Sequence, residues 1–207
     1  AYLFTPVNVK PPYQTIVYFP GSGALTARTS ANLEFPRIDF LVKNGRAVMY
    51  PIYKSTYERA DSLTSDYSDE TIFYRDHVLM WAKDLRRSVD YLRTRDDVDS
   101  AKIGYLGISW GALLGGIMLA VEPRMKAGVL YLAGLGMESA RPEADPVNFL
   151  PRVKQPVIML NGNYDHFFPV ESSQKPFFRL LGAPPDSKRY VLYEGGHFVP
   201  KTQFIAE

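Results

Sequence analysis

The chain has 207 residues, 46% of them hydrophobic and 22% charged, which suits one substantial folded domain and argues against a disordered chain. Its 24 basic and 22 acidic residues are well mixed and leave a formal charge of +2, so there is no electrostatic footprint for nucleic acid or an acidic membrane. The absence of cysteine excludes disulfide frameworks, thiolate metal sites and cysteine nucleophiles.

A cysteine-free chain suits a reducing cytoplasm, and that compartment is favoured, although secretion is not barred. No apolar run approaches the ~20 residues of a membrane span, and the first residues lack a basic segment followed by an apolar one. Residues 1–207 read as a single domain. The abrupt start at Ala1 and stop at Glu207 suggest a portion of a longer chain.

Pro6, Pro11 and Pro12 break the chain before its first strong strand. Residues 14–19 are β-branched and aromatic and predict a central strand, ending in the turn Pro20-Gly21-Ser22-Gly23. Such a turn brings backbone N–H groups to the sheet edge. Pro36 suits the first turn of a helix through Ile38, Leu41 and Val42, stopped by Gly45. The next strand is expected over residues 46–50 and is closed by Pro51. Residues 52–70 have no clear period and predict a long loop, of a length that is usually functional or disordered.

Val78, Trp81, Leu85, Val89 and Leu92 then recur at helical spacing, so a long amphipathic helix begins near Thr71. Residues 102–106 predict a buried strand and residues 112–120 a buried helix. Between them lies Gly107-Ile108-Ser109-Trp110-Gly111. A serine on so tight a strand-to-helix turn is held clear of the sheet, and flanking glycines avoid collisions with the adjoining backbone. Further strands are expected over residues 127–132, 156–160 and 189–193, with a helix through Phe177, Phe178 and Leu181. The alternation calls for an α/β fold with a mostly parallel sheet and helices on both faces.

Ligand sites in such sheets lie outside the carboxyl ends of the strands, which here carry Ser22, Ser109, Asp165 and His197. A serine hydroxyl needs a base to become a nucleophile, and histidine is suited to that role. A carboxylate behind the ring fixes its tautomer. The order Ser109, Asp165, His197 matches the Ser, Asp, His order of the α/β-hydrolases. His77, within the helix, reads as structural, and His166 lies too close to Asp165 to be its natural partner. Asp145 and Glu138 compete with Asp165 for the acid. The oxyanion of acyl transfer needs preorganised donors, for which the backbone N–H groups of Ser22 and Trp110 are the candidates. A P-loop is excluded, because no Gly-Lys-Ser/Thr ending follows the glycine-rich turn.

Together these motifs resemble the α/β-hydrolase group of dienelactone hydrolases and acetyl-xylan esterases, and the chain is also similar to prolyl-oligopeptidase catalytic domains. The stretch from Asp145-Pro146-Val147-Asn148-Phe149 to Gly195-Gly196-His197 resembles hydrolase domains fused to bacterial serine/threonine kinases. The resemblance implies an α/β-hydrolase fold and a serine carboxylesterase acting through an acyl-enzyme on small to medium acyl or aromatic esters. The chain departs from dienelactone hydrolases proper in lacking their cysteine nucleophile, and the family's first strands and last helix are missing or outside this chain.

The loops over residues 52–70 and 134–148 leave the same sheet edge and are expected to form walls or a lid over the pocket. Tyr53, Tyr57, Tyr67, Trp110, Met137, Phe167, Phe168 and Phe198 are candidates for its lining, with Tyr53, Met137, Phe167 and Phe198 foremost. The expected partner is a small-molecule ester. No metal constellation or cofactor is expected. The rival readings are a serine peptidase and a regulatory or binding module that keeps the hydrolase fold without turnover.

Overall fold

A computed structural model describes residues 1–198, 200 and 202. Seven strands form one sheet in the order β1-β3-β2-β4-β5-β6-β7. Strands β2 (Tyr13–Phe19), β3 (Ala47–Tyr50), β4 (Val98–Ile108), β5 (Gly128–Tyr131), β6 (Val157–Gly162) and β7 (Lys188–Tyr193) run parallel. Only β1 (Tyr2–Phe4) is antiparallel, against β3. With three residues, it is too short to show a period in sequence.

The central strands are apolar on both faces because both are covered. Val17 and Phe19 of β2 point into one layer with Trp81 and Leu114, while Tyr18 points into the opposite layer with Val48 and Leu106. The first layer is closed by α3 (Ile72–Leu92), α4 (Trp110–Val121) and α5 (Lys175–Leu180), and the second by α2 (Asp39–Lys43) with the preceding Ile38. A four-residue helix, α1 (Gly23–Thr26), follows the first strand-end turn. Among the described residues, no helix is long and apolar enough to cross a membrane.

The Thr71 hydroxyl accepts the Tyr74 amide proton at 3.1 Å, so a side-chain cap starts α3 where the amphipathic pattern does. Its buried stripe of Val78, Trp81, Leu85 and Val89 then lies against the sheet and α4. Trp81 meets Trp110 edge to face at 4.8 Å between ring centroids, an arrangement worth about 1 kcal/mol beyond the area buried. Strand β4 starts before the expected residue 102. Its early residues Ser100, Ala101 and Lys102 are exposed and show no apolar alternation.

Candidate active site

The motif around Ser109 makes a strained turn between β4 and α4. Ser109 has φ 51° and ψ −109°, a backbone conformation that side-chain-bearing residues rarely adopt. Its neighbours approach too closely for anything but glycine. A Cβ added at Gly107 would lie 2.3 Å from the Gly111 carbonyl oxygen, and one at Gly111 would lie 2.4 Å from that of Phe19. The Gly111 amide donates to the Pro20 carbonyl at 3.1 Å. The nucleophile turn is thereby fastened to the strand-end turn that carries Ser22.

The Ser109 hydroxyl lies 2.8 Å from Nε2 of His197. On the far side of the ring, Nδ1–H donates to Oδ2 of Asp165 at 2.7 Å. A carboxylate can only accept, so this bond puts the ring proton on Nδ1 and leaves the Nε2 lone pair toward serine. Asp165 is held from behind, where Oδ1 accepts the amides of Phe167 and Phe168 at 2.9 and 3.0 Å. Asp165 and His197 are both buried.

The loops after β6 and β7 are stitched together by Asn163 and Tyr164 amides, which donate to the carbonyls of Tyr193 and Gly195, each at 2.9 Å. That pairing sets the acid beside the histidine. The rings of Phe167 and Phe168 pack near His197, at 4.8 and 5.7 Å between centroids. Asp145 lies elsewhere, its carboxylate capping the turn at Val147. His77 bridges the Phe73 carbonyl and Asp61 within the α3 packing, while His166 and Glu138 line the cavity beside Ser109.

That cavity has a volume of about 440 Å³. Ser22 and Ser109 line it together with Tyr67, Met137, Phe167 and Phe198. The loops over residues 52–70 and 134–148 both reach it, through Asp66-Tyr67-Ser68 and Gly136-Met137-Glu138. A Cβ at Gly21 would stand 3.8 Å from that of Ser109, so the first turn lies against the nucleophile. Among the described residues, the backbone N–H groups of Ser22 and Trp110 have no protein acceptor. The first N–H groups of a helix have no partner within it, which accounts for Trp110.

The structure corrects the pocket lining at three positions. Tyr53 is fully buried, stacked on Phe19 at 4.0 Å, with its hydroxyl donating to the Tyr18 carbonyl. Burial holds that phenol well above its ordinary pKa. Tyr57 is likewise in the core, bonded to the Tyr50 hydroxyl at 2.7 Å. The Trp110 indole points into the core against Phe19 and Trp81, leaving only its backbone for the site. Tyr53 and Tyr57 are drawn inward by the first half of the segment over residues 52–70, which reads from sequence as loop. In the other direction, Asp66, Glu34, Arg37 and Leu113 line the cavity without having been singled out. The loop residue Asp66 offered no spacing signal.

Among the described residues, no group of three or more His, Asp or Glu side chains is arranged to hold a metal ion.

The sheet order, the strained serine turn and the Ser109–His197–Asp165 contacts define an α/β-hydrolase fold. The profile of the dienelactone hydrolase family matches residues 1–181. The chain belongs to that family. A curated relative named as a carboxymethylenebutenolidase, from Methylorubrum extorquens, is 32% identical over 118 residues, covering 55% of this chain and 40% of the relative. The chain thus spans about two fifths of that relative's length. In three dimensions it is similar to a cold-adapted esterase from an Arctic intertidal metagenomic library, at TM-score 0.71 and 18% identity, covering 97% of this chain and 81% of that one. It is also similar to Est1E of Butyrivibrio proteoclasticus, solved with ferulic acid, at TM-score 0.66 and 17% identity, covering 95% and 86%.

Proposed function

We propose that this chain is a serine carboxylesterase that cleaves small to medium acyl or aromatic esters through an acyl-enzyme. The observation that carries the reading is the unbroken contact from Ser109 Oγ to His197 Nε2 at 2.8 Å and from His197 Nδ1 to Asp165 at 2.7 Å, with Ser109 and His197 lining an open cavity. Ser109 Oγ attacks the ester carbonyl while Nε2 of His197 takes its proton. The oxyanion formed accepts the Ser22 and Trp110 amides. Collapse of the intermediate breaks the bond to the alcohol, whose oxygen receives the proton from Nε2. Water then repeats the sequence on the acyl-enzyme, and Ser109 is restored.

The cavity supports an ester of modest size. Its volume of about 440 Å³ lies within the usual range for small-ligand sites, and Met137, Phe167, Phe168 and Phe198 give it apolar surface. Family membership supports a hydrolase. The Arctic esterase and the ferulic-acid-bound Est1E, similar in fold, are compatible with acyl or aromatic esters.

Hydrolysis of p-nitrophenyl acetate and butyrate by the parent and by Ser109→Ala tests the reading. Turnover is expected from the parent and its near-complete loss in the variant. Undiminished turnover in Ser109→Ala would overturn it.

A further inference from the structure

Asp66 is a carboxyl group on the cavity wall that the triad and oxyanion donors do not use. It sits on the loop over residues 52–70, lining the same space as Ser22, Ser109 and His197. Burial lifts its carboxyl above the usual carboxylate range against the pull of its own backbone amide and the Ser22 hydroxyl; Glu138 adds to the rise and His197 opposes it. The charge of Glu138, on the facing loop, lines the cavity as well.

The only Lys or Arg among the described lining residues is Arg37, and its guanidinium is tied to Glu34 at 2.9 Å. Among the described residues, neither Asp66 nor Glu138 is paired with a cation. Around the same opening stand the exposed rings of Tyr67, Phe167 and Phe198. Carboxylates set the sign of the field, and aromatic faces attract cations through their quadrupoles. An anionic substrate would meet like charge there, and a neutral one would leave Asp66 with hydrogen bonds but no opposite charge.

From the place of Asp66 in the wall of the cavity that also holds Ser109, we propose that Asp66 is the specificity-determining residue that selects esters carrying a positively charged nitrogen. This deepens the esterase reading and rests on it. A bound ammonium stabilises the ionised carboxyl, so the preference weakens as pH falls through the raised Asp66 value and weakens also as salt screens the field. The titratable groups that act on Asp66 or are acted on by it are Glu138, His197 and the Tyr74 phenol, with the Glu34–Arg37 pair lining the same cavity.

The test compares acetylcholine with 3,3-dimethylbutyl acetate, which replaces the quaternary nitrogen by carbon at nearly the same shape. At low ionic strength, kcat/KM for acetylcholine should exceed that for the neutral ester by about tenfold, the effect of one well-placed charge partly shielded from water. The ratio should fall to within about twofold in Asp66→Asn. In the parent it should shrink at high salt, a readout that needs no variant to fold. Equal kcat/KM for the two esters with Ser109-dependent turnover would overturn this inference alone. A ratio preserved in folded Asp66→Asn, or one indifferent to salt, would also overturn it. Absence of turnover of both esters, with Ser109 unlabelled by a fluorophosphonate, would overturn the esterase reading and this inference with it.

Discussion

His197 Nδ1 and Asp165 Oδ2 stand 2.7 Å apart, although 32 residues separate them in the chain. The bond assigns the ring proton to Nδ1 and keeps Nε2 free to accept from Ser109. Asp165→Asn should therefore fail by reversing that assignment, since an amide N–H turned toward Nδ1 forces the proton onto Nε2. The expected loss in kcat for p-nitrophenyl acetate is roughly 10³–10⁴-fold with the fold retained. A variant within about threefold of the parent, on the same scale, would show that Asp165 does not orient the histidine.

Gly111 packs against the Phe19 carbonyl with no room for a methyl group. Since the obstacle is backbone on both sides, relief requires moving β2 or the nucleophile turn. Gly111→Ala should destabilise the protein by about 2 kcal/mol or more, lowering Tm by roughly 5 °C or more for a chain of this size. Residual folded protein should hydrolyse esters poorly, because Trp110 N–H and Ser109 shift together. Thermal melting and specific activity measured on the same preparation check both parts.

Much of this arrangement is legible in the sequence. Ser109, Asp165 and His197 each follow an apolar run that needs no long-range information to be read as a strand, and parallel topology brings those strand ends to one edge. Side-chain direction is harder to read. Tyr53 and Phe167 both follow strand ends, but only the fold reveals that Tyr53 turns inward onto Phe19 while Phe167 borders the cavity. Local pattern was also silent for β1, whose three residues gain their pairing from β3. Asp66 was unreadable as a site residue because its role depends on Ser22 and Glu138, which are distant in sequence.

The segment carrying Asp66 is anchored by Asp61, which accepts from Lys54 at 2.7 Å and from His77 at 2.9 Å. Burial would raise the Asp61 carboxyl, but hydrogen bonds from Lys54, His77, the Leu63 amide and Ser55 win, and it lies below the usual carboxylate range. A folded-state value lowered in this way stabilises the fold above the unfolded value of about 4 and loses that contribution as pH falls through the folded value. Asp61→Asn should lower Tm at pH 7, with the gap to the parent narrowing once pH drops below about 4. Melting curves across acid pH decide the matter: a gap independent of pH would rule out ionised Asp61 as the anchor.

Tyr53 and Phe198 separate core from cavity. Tyr53→Phe removes one buried hydrogen bond, costing about 1 kcal/mol and a Tm decrease of roughly 2–4 °C, with KM for p-nitrophenyl butyrate unchanged. Phe198→Ala removes an exposed ring at the cavity wall and should raise that KM by about three- to tenfold, the effect of about 1 kcal/mol of apolar contact. The reverse pattern, a KM effect at Tyr53 and none at Phe198, would contradict the lining observed.

The central claim is that His197 makes Ser109 a nucleophile. Intact protein treated with a fluorophosphonate and analysed by peptide mass spectrometry measures this most directly. The expected result is a single phosphonyl adduct on the peptide containing Ser109, formed rapidly in the folded parent and slowed by roughly 10³-fold in His197→Ala. Folded parent left unlabelled at Ser109, or labelled there at the same rate without His197, would contradict the account.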